Sequence, residues 1–343
     1  MVEGLFAVWL FVMGLVVGSF LNVVIARVPE GLSVVHPRSR CPKCGHGLAW
    51  YENIPVVSWL ALRARCSGCK APISARYPMV ELLTGVLYFA CLKRFGWTYE
   101  LVPALVLVSV LVPLTFIDLD HWILPFSLTL PGIAAGLVLA VPRGSDWLWD
   151  AALGAALGFL AFRSMEYMGW MVFRKEALGA GDKYLVALLG AFLSWRALLG
   201  ILLFASLQGA VVGSVMLLLT GRAGPRSDDP EPSPLEGAAS RDASAASGEE
   251  ASDDVPEPAM TWDFLKPGLP LWKRVLLIPV SLLFQPIPDA PMDEEGDEEE
   301  WVPGPTNIPF GPWLALAGLE VLLLGPWLSS VLPPHVAMML GGG

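Results

Sequence analysis

The chain has 343 residues, of which 55% are apolar and 16% charged. A soluble domain averages about 25% charged residues and roughly 45–50% apolar ones with glycine counted. A compact water-soluble fold, a wholly disordered chain, a disulfide scaffold and a nucleic-acid-binding domain are therefore poor fits. The formal charge of −10 is unevenly spread: residues 222–305 hold 19 acidic and 6 basic residues, a balance of −13, while the rest of the chain carries +3. An acidic segment has been set into a mildly basic, polytopic membrane protein.

A bilayer-crossing helix needs about 20 mostly apolar residues, with roughly 17–25 tolerated. Residues 5–25 are uncharged and long enough. Glu3 precedes them and the first basic residue is Arg27, which reads as a retained helix rather than a signal peptide. Further apolar segments run over 78–96, 101–117, 123–141, 147–173, 184–195, 197–220 and 312–332. The expected fold is all-α and polytopic, with about eight transmembrane helices. The segment 184–195 is short and needs a neighbouring helix or a re-entrant arrangement. Lysine and arginine placement sets the orientation. With the first helix running from outside to inside, the inside loops collect 17 of the 22 basic residues. Lys93, Arg94, Arg143 and Arg196 fall outside and Arg163 lies within a span. The two large loops, 26–77 and 221–311, are then cytoplasmic.

The second loop is rich in Pro, Ser, Ala, Asp and Glu, a composition that cannot bury enough apolar surface to offset its ordering entropy. Within it, residues 269–284 are apolar with Lys273 and Arg274, and read either as an interfacial helix or as a ninth, partial insertion.

The first loop carries Cys41-Pro-Lys-Cys44 and Cys66-Ser-Gly-Cys69. Paired thiolates on two tight turns supply the four soft ligands of a tetrahedral zinc site, and a reducing cytoplasm disfavours the alternative of two disulfides. Such a closed site keeps no position for water, so the metal organises structure and performs no chemistry. His46 is a lesser substitute ligand, and Cys91 reads as a buried apolar side chain.

Ionisable groups at membrane depth point to function. Asp118 and Asp120 close the third span, and Asp182 ends Gly179-Ala-Gly181-Asp182 before the sixth. In the expected topology both places face the cytoplasm at one depth. Two carboxylates brought together cannot both ionise cheaply, so one keeps a proton while the other activates water. That arrangement hydrolyses a peptide bond without a covalent intermediate. An ion-coupled transporter also uses membrane carboxylates and is the main alternative from spacing alone. Arg163 and Glu166, three apart, read as a structural pair. Glu81 reads as either interior or interfacial, and Gln208 and Glu320 as packing or interfacial groups rather than site residues.

Taken together, the motifs resemble the type IV prepilin leader peptidases. They run through Gly18-Ser-Phe-Leu-Asn22, Pro37-Arg-Ser-Arg-Cys41-Pro-Lys-Cys44, Asn53-Ile-Pro, Cys66-Ser-Gly-Cys69, Arg76-Tyr77-Pro78 and Glu81-Leu-Leu-Thr. They continue through Ile117-Asp118 with Leu124-Pro125, Glu176-Ala-Leu-Gly179-Ala-Gly181-Asp182 and Ile308-Pro-Phe-Gly311. The resemblance covers nearly everything outside 222–305. It implies a GxGD-type aspartic endopeptidase with one catalytic aspartate per short motif, Asp118 and Asp182, with Asp120 the lesser candidate for the first.

It further implies removal of the basic leader from type IV prepilins or type II secretion pseudopilins at the cytoplasmic face of a bacterial inner membrane. N-methylation of the new amino terminus follows, with S-adenosylmethionine as donor. A peptidase without methyl transfer is the nearest alternative. Beyond membrane lipid and these substrates no partner is implied, and nucleic acid is not expected. The organisation that follows is a first helix over 1–26, a zinc-binding, methyltransferase-associated loop over 27–77, a peptidase core over 78–220, an acidic insertion over 221–307, and a last helix with the C-terminus over 308–343. Two positions depart from the family pattern. Phe126 follows Leu124-Pro125 where an acidic or amide residue is usual, and Tyr184 stands where a lysine is usual, with Lys183 one place earlier.

Overall fold

The structure is a computed structural model and describes residues 2–173, 179, 181–220 and 308–332. The acidic insertion with its 269–284 stretch, Glu176 of the second aspartate motif and the last residues of the chain lie outside the described residues.

Helix α1 spans Val2–Arg27 and is followed by the cysteine loop, which contains a 3-10 turn over Trp50–Asn53 and a short helix α2 at Val57–Ala61. The remaining helices are α3 (Arg76–Phe95), α4 (Leu101–His121), α5 (Phe126–Ala140), α6 (Ser145–Phe173), α7 (Asp182–Leu193), α8 (Trp195–Thr220) and α9 (Gly311–Val331). Among the described residues there is no strand, only two isolated bridges in the cysteine loop. Every apolar segment expected to span is helical, with ends shifted by a few residues. The largest shift is in the third. Its apolar run stops at Ile117, but the helix continues to His121 and is closed by Trp122 in the left-handed conformation, whose N–H bonds the Asp118 carbonyl at 3.0 Å.

Five helices, α1, α4, α5, α8 and α9, are long and apolar enough to cross a membrane by length and composition. Charged side chains interrupt α3 and α6, and α7 has only 12 residues. Why α7 is stable becomes clear from its surroundings. Leu185 through Ala191 are all buried, so it is an apolar helix enclosed by α5, α6, α8 and α9 rather than one facing lipid.

Without a hydrophobic drive between helices in lipid, association relies on close backbone approach. Gly14 and Gly18 of α1 lie against Gly85 and Glu81 of α3, where an added Cβ would come within 2.8 and 2.7 Å of backbone atoms. Gly154 of α6 meets Gly190 of α7 still more closely. Between these pairs runs α4, whose Leu107, Leu111, Leu114 and Ile117 are fully buried. Gln208 of α8 donates to Glu320 of α9 at 2.5 Å, a polar link between these two helices. The result is that the C-terminal end of α4 meets the N-terminal ends of α7 and α9.

Candidate functional site

At that junction Asp118 occupies the last turn of α4 and Asp182 the first residue of α7, and both are buried. Each carboxylate sits at a helix end for a different reason. Asp182 faces the positive end of its own helix dipole, with its N–H bonded to the Gly179 carbonyl at 3.1 Å. Asp118 lies at the negative end of α4, where a carboxylate is unfavourable, but the N-terminus of α9 is packed onto it. The Gly311 N–H acts on the Asp118 carboxyl, and a side chain at 311 would displace that carboxyl because its Cβ would fall on Oδ2.

Leu124 joins the two halves. Its side chain lies 2.6 Å from where a Cβ on Gly181 would stand and 3.5 Å from one on Gly311, so Leu124 packs against the glycine that precedes Asp182 and the glycine that covers Asp118. Oδ2 of Asp118 is buried without a completed hydrogen bond among the described residues, an acceptor left for another group. Gly311 and Leu124 belong to motifs visible in the sequence, but their contact with the aspartates had no sequence signal beyond a glycine at a helix start.

Asp120 points away from this junction. It pairs with Arg76 of α3 at 2.5 Å and is partly exposed. Arg76 also donates to the Phe116 carbonyl at 3.3 Å and lies over the Phe116 ring, so it clasps the end of the cysteine loop to α4.

Beside Asp182, the next residue reaches back to α6. Lys183 Nζ donates to Glu166 Oε1 and Oε2 at 2.9 and 2.8 Å, and Arg163 donates to Glu166 Oε2 at 3.1 Å. All three are largely buried. The Arg163–Glu166 pair expected on one helix is thus half of a link between helices, and it fixes the start of α7. The two departures from the family pattern also meet. The Phe126 and Tyr184 rings pack edge-to-face at 4.9 Å and 78°, with Phe159 against Tyr184 at 5.4 Å. Such pairs contribute about 0.5–1.5 kcal/mol beyond area burial, so α5 and α7 are joined here by aromatic contact.

The cysteine loop builds a second site. Cys41 N–H bonds the His46 carbonyl and Gly45 N–H the Cys41 carbonyl, both at 2.9 Å. The second turn repeats this with Cys66 to Ala71 at 2.9 Å and Lys70 to Cys66 at 3.0 Å. The residue after each second cysteine, Gly45 or Lys70, takes positive φ. These two turns face each other, so the four sulfurs lie within 4.8 Å of one another, with Cys41–Cys69 at 3.8 Å and Cys44–Cys66 at 3.9 Å. A tetrahedral zinc with Zn–S of about 2.3 Å needs sulfurs roughly 3.8 Å apart, so the donor set fits.

The thiols share their protons unevenly. Burial pushes Cys41 up, but the N–H groups of Cys44 and Lys43 outweigh it and bring that thiol to about 7. At Cys44 the His46 N–H pulls down, yet Cys69, burial and the other sulfurs push the thiol to about 11. Four thiolates crowded together need a cation. His46 is turned to Glu52 at 3.3 Å instead. Hydrogen bonds from Ser67 and the Ala49 N–H hold the Glu52 carboxyl below its usual range. Cys91 is buried in α3, apart from the cluster. Glu81 is buried and accepts from Val56 N–H at 2.7 Å, so it faces the interior.

Residues 12–95 match the bacterial peptidase A24 N-terminal domain, and residues 105–214 match the type IV leader peptidase family. A protein of Myxococcus xanthus (strain DK1622) named prepilin leader peptidase/N-methyltransferase is 71% identical over 338 residues, covering 98% of this chain and 96% of that one. Proteins of the same name from Aeromonas hydrophila and Pseudomonas aeruginosa are 44% and 39% identical. They cover 61% and 62% of this chain and 80% and 82% of their own lengths. No solved structure matches. With both domain models matched in order and a relative aligned over nearly its full length, the chain belongs to the prepilin leader peptidase/N-methyltransferase family.

Proposed function

We propose that the chain is a membrane aspartic endopeptidase that removes the basic leader from type IV prepilins or type II secretion pseudopilins and N-methylates the new terminus. Asp118 and Asp182 are its catalytic pair. The observation that carries this reading is the burial of two carboxylates at the ends of separate helices, beside glycines that share one leucine, with an acceptor atom of Asp118 left unpaired.

The substrate's apolar helix enters from the bilayer and places its scissile carbonyl between the aspartates. One carboxylate takes a proton from a water molecule as its oxygen attacks that carbonyl. The other, protonated, donates a hydrogen bond to the carbonyl oxygen and then its proton to the departing amine. The Gly311 N–H orients the Asp118 carboxyl through this exchange, and the Lys183–Glu166 link holds Asp182 in register. The pair titrates as a unit.

In the same reading Cys41, Cys44, Cys66 and Cys69 hold structural zinc. The closed tetrathiolate would shape the 27–77 loop and leave no position for a water. The methyl donor is S-adenosylmethionine. Lysine and arginine placement supports an inner-membrane protein with both sites at the cytoplasmic face. The test is to incubate the purified protein with a prepilin and S-adenosylmethionine and weigh the product. A pilin shortened by its leader and heavier by one methyl group supports both activities. A shortened, unmethylated pilin removes the second, and an intact prepilin removes the whole reading.

A further inference from the structure

The segment between the two cysteine turns reaches into the depth of the helices on either side of it. Val56 N–H donates to Glu81 Oε2 at 2.7 Å, and Glu81 also accepts from Ser19 and lies against Gly18. At about 1.5 Å per residue, Ser19 lies roughly 12 Å before the end of α1, and Glu81 about 7.5 Å past the start of α3. Residue 56 is therefore held one to two turns below the ends of the helices that flank the loop.

The hold is strained. Val56 has φ 61 and ψ −47, and Val57 N–H bonds the Pro55 carbonyl at 2.5 Å. This is the rarer form of γ-turn, on a β-branched residue. Ser58 is buried and joins the two short helical pieces: its Oγ accepts from Ile54 N–H at 2.9 Å and donates to the Tyr51 carbonyl at 2.7 Å. Trp59 Nε1 donates to the Ile73 carbonyl at 3.1 Å. Ser58 is turned inward, while Trp50 at 81% exposure, Tyr51 at 59%, Val57 at 58% and Leu60 at 62% are open to the surroundings. The loop that carries these residues, 27–77, holds eight basic residues against two acidic ones, and stays basic when an anionic zinc tetrathiolate is counted.

We propose that residues 50–61 are a lipid-facing foot, by which the cysteine loop stands on the membrane around α1 and α3. Trp50 and Tyr51 sit at headgroup level, where amphipathic rings are favoured. Val57 and Leu60 reach the acyl boundary. The basic balance of the loop attracts anionic headgroups. The depth fixed by Glu81 singles out lipid over a protein partner, because a residue tied one to two turns inside a spanning bundle and turned away from it faces the bilayer. The placement does not depend on the proposed chemistry, since it uses only the integral-membrane character of the chain.

The experiment replaces Leu60 with p-benzoylphenylalanine in the full chain, reconstituted in bilayers of phosphatidylethanolamine and phosphatidylglycerol, and identifies adducts by mass after irradiation. Val57 serves as a second position should the first variant fail to insert, and exposed Lys43 on the first cysteine turn as the control. Lipid adducts at position 60 or 57 at least fivefold above position 43 are expected, with a further drop when phosphatidylcholine replaces the anionic lipid. Adduct yields equal at 60, 57 and 43 overturn the foot. Adducts at 60 and 57 that are exclusively protein, to a second copy or an added prepilin, overturn lipid as the occupant. An unchanged yield in phosphatidylcholine overturns the electrostatic part.

Discussion

The cysteine loop and the aspartate junction are each assembled from short motifs, but over very different lengths of chain. The four sulfurs span 28 residues and are placed by two turns, each closed by its own backbone hydrogen bonds. The aspartate junction draws on residues 118, 124, 181, 182 and 311 and exists only once α4, α7 and α9 have packed end to end. A site of the first kind fails when a ligand is lost, whereas a site of the second kind also fails when a helix end shifts by a fraction of an ångström. The two should therefore respond differently to substitution, and the contrast can be broken.

The largest effect is expected at the carboxylates. Asp118→Asn and Asp182→Asn should each lower cleavage of a prepilin by about a thousandfold or more, within the roughly hundred- to ten-thousandfold contribution of a positioned general acid or base. The protein should still accumulate in the membrane, because neither side chain packs the apolar core. Cleavage rates for each variant, measured against purified enzyme of equal amount, check this. Near-parental turnover in either would remove that residue from the pair.

Long apolar runs make the long helices among the described residues legible, because the bilayer imposes length and composition together. The ends were less so. The end of α4 was read at Ile117, where apolar residues stop, yet Trp122 in a left-handed conformation decides where the helix closes. The short segment 184–195 calls for a neighbouring helix or a re-entrant arrangement, and neighbouring helices bury α7 so that it need not meet lipid. At the site, the aspartates stood out as charges in apolar surroundings. The role of Gly311 did not, since its contact with Asp118 lies across nearly 200 residues of chain. Phe126 and Tyr184 looked like two unrelated departures from a pattern, but they are the two halves of one aromatic contact. Pairwise consequences of packing carry no mark in a single sequence.

Gly311→Ala is the sharper probe of helix-end precision. Its Cβ would fall on Asp118 Oδ2, whereas a Cβ at Gly179 would stand 3.3 Å from Asp182 Oδ2. Displacing a reacting group by about 1 Å can cost on the order of a hundredfold. Gly311→Ala should lose about 10–100-fold in kcat, and Gly179→Ala only a few fold. Equal effects in a cleavage assay would mean that α9 does not set the position of Asp118.

The cysteine loop should break differently. Replacing Cys41 and Cys66 by serine should lower bound zinc from about one per chain to near zero, as read by metal analysis of freshly reduced protein. Methyl transfer should fall with it. Cleavage should stay within about threefold of the parent, because the aspartates are held by helices that pack without the cysteine turns. Parallel loss of both activities would show that the metal loop shapes the aspartate junction as well, and the contrast between the two sites would narrow.

The smallest effect tests a side chain that ties the two regions together. Arg76, at the end of the cysteine loop, pairs with Asp120, two residues beyond Asp118. Both partners are about a third exposed, and a solvent-screened pair of this kind contributes about 0.2–1 kcal/mol. Arg76 also keeps its bond to the Phe116 carbonyl and its contact with the Phe116 ring when Asp120 is changed, so the clasp loses only one of its three holds. Asp120→Asn should therefore leave cleavage within about fivefold of the parent, consistent with at most about 1 kcal/mol. High salt should narrow that gap further, as screening weakens the parental pair. The same substitution separates the two aspartates of the first motif. A thousandfold loss on Asp120→Asn with little loss on Asp118→Asn would move the catalytic role to Asp120 and leave Asp118 as the buried partner of Gly311.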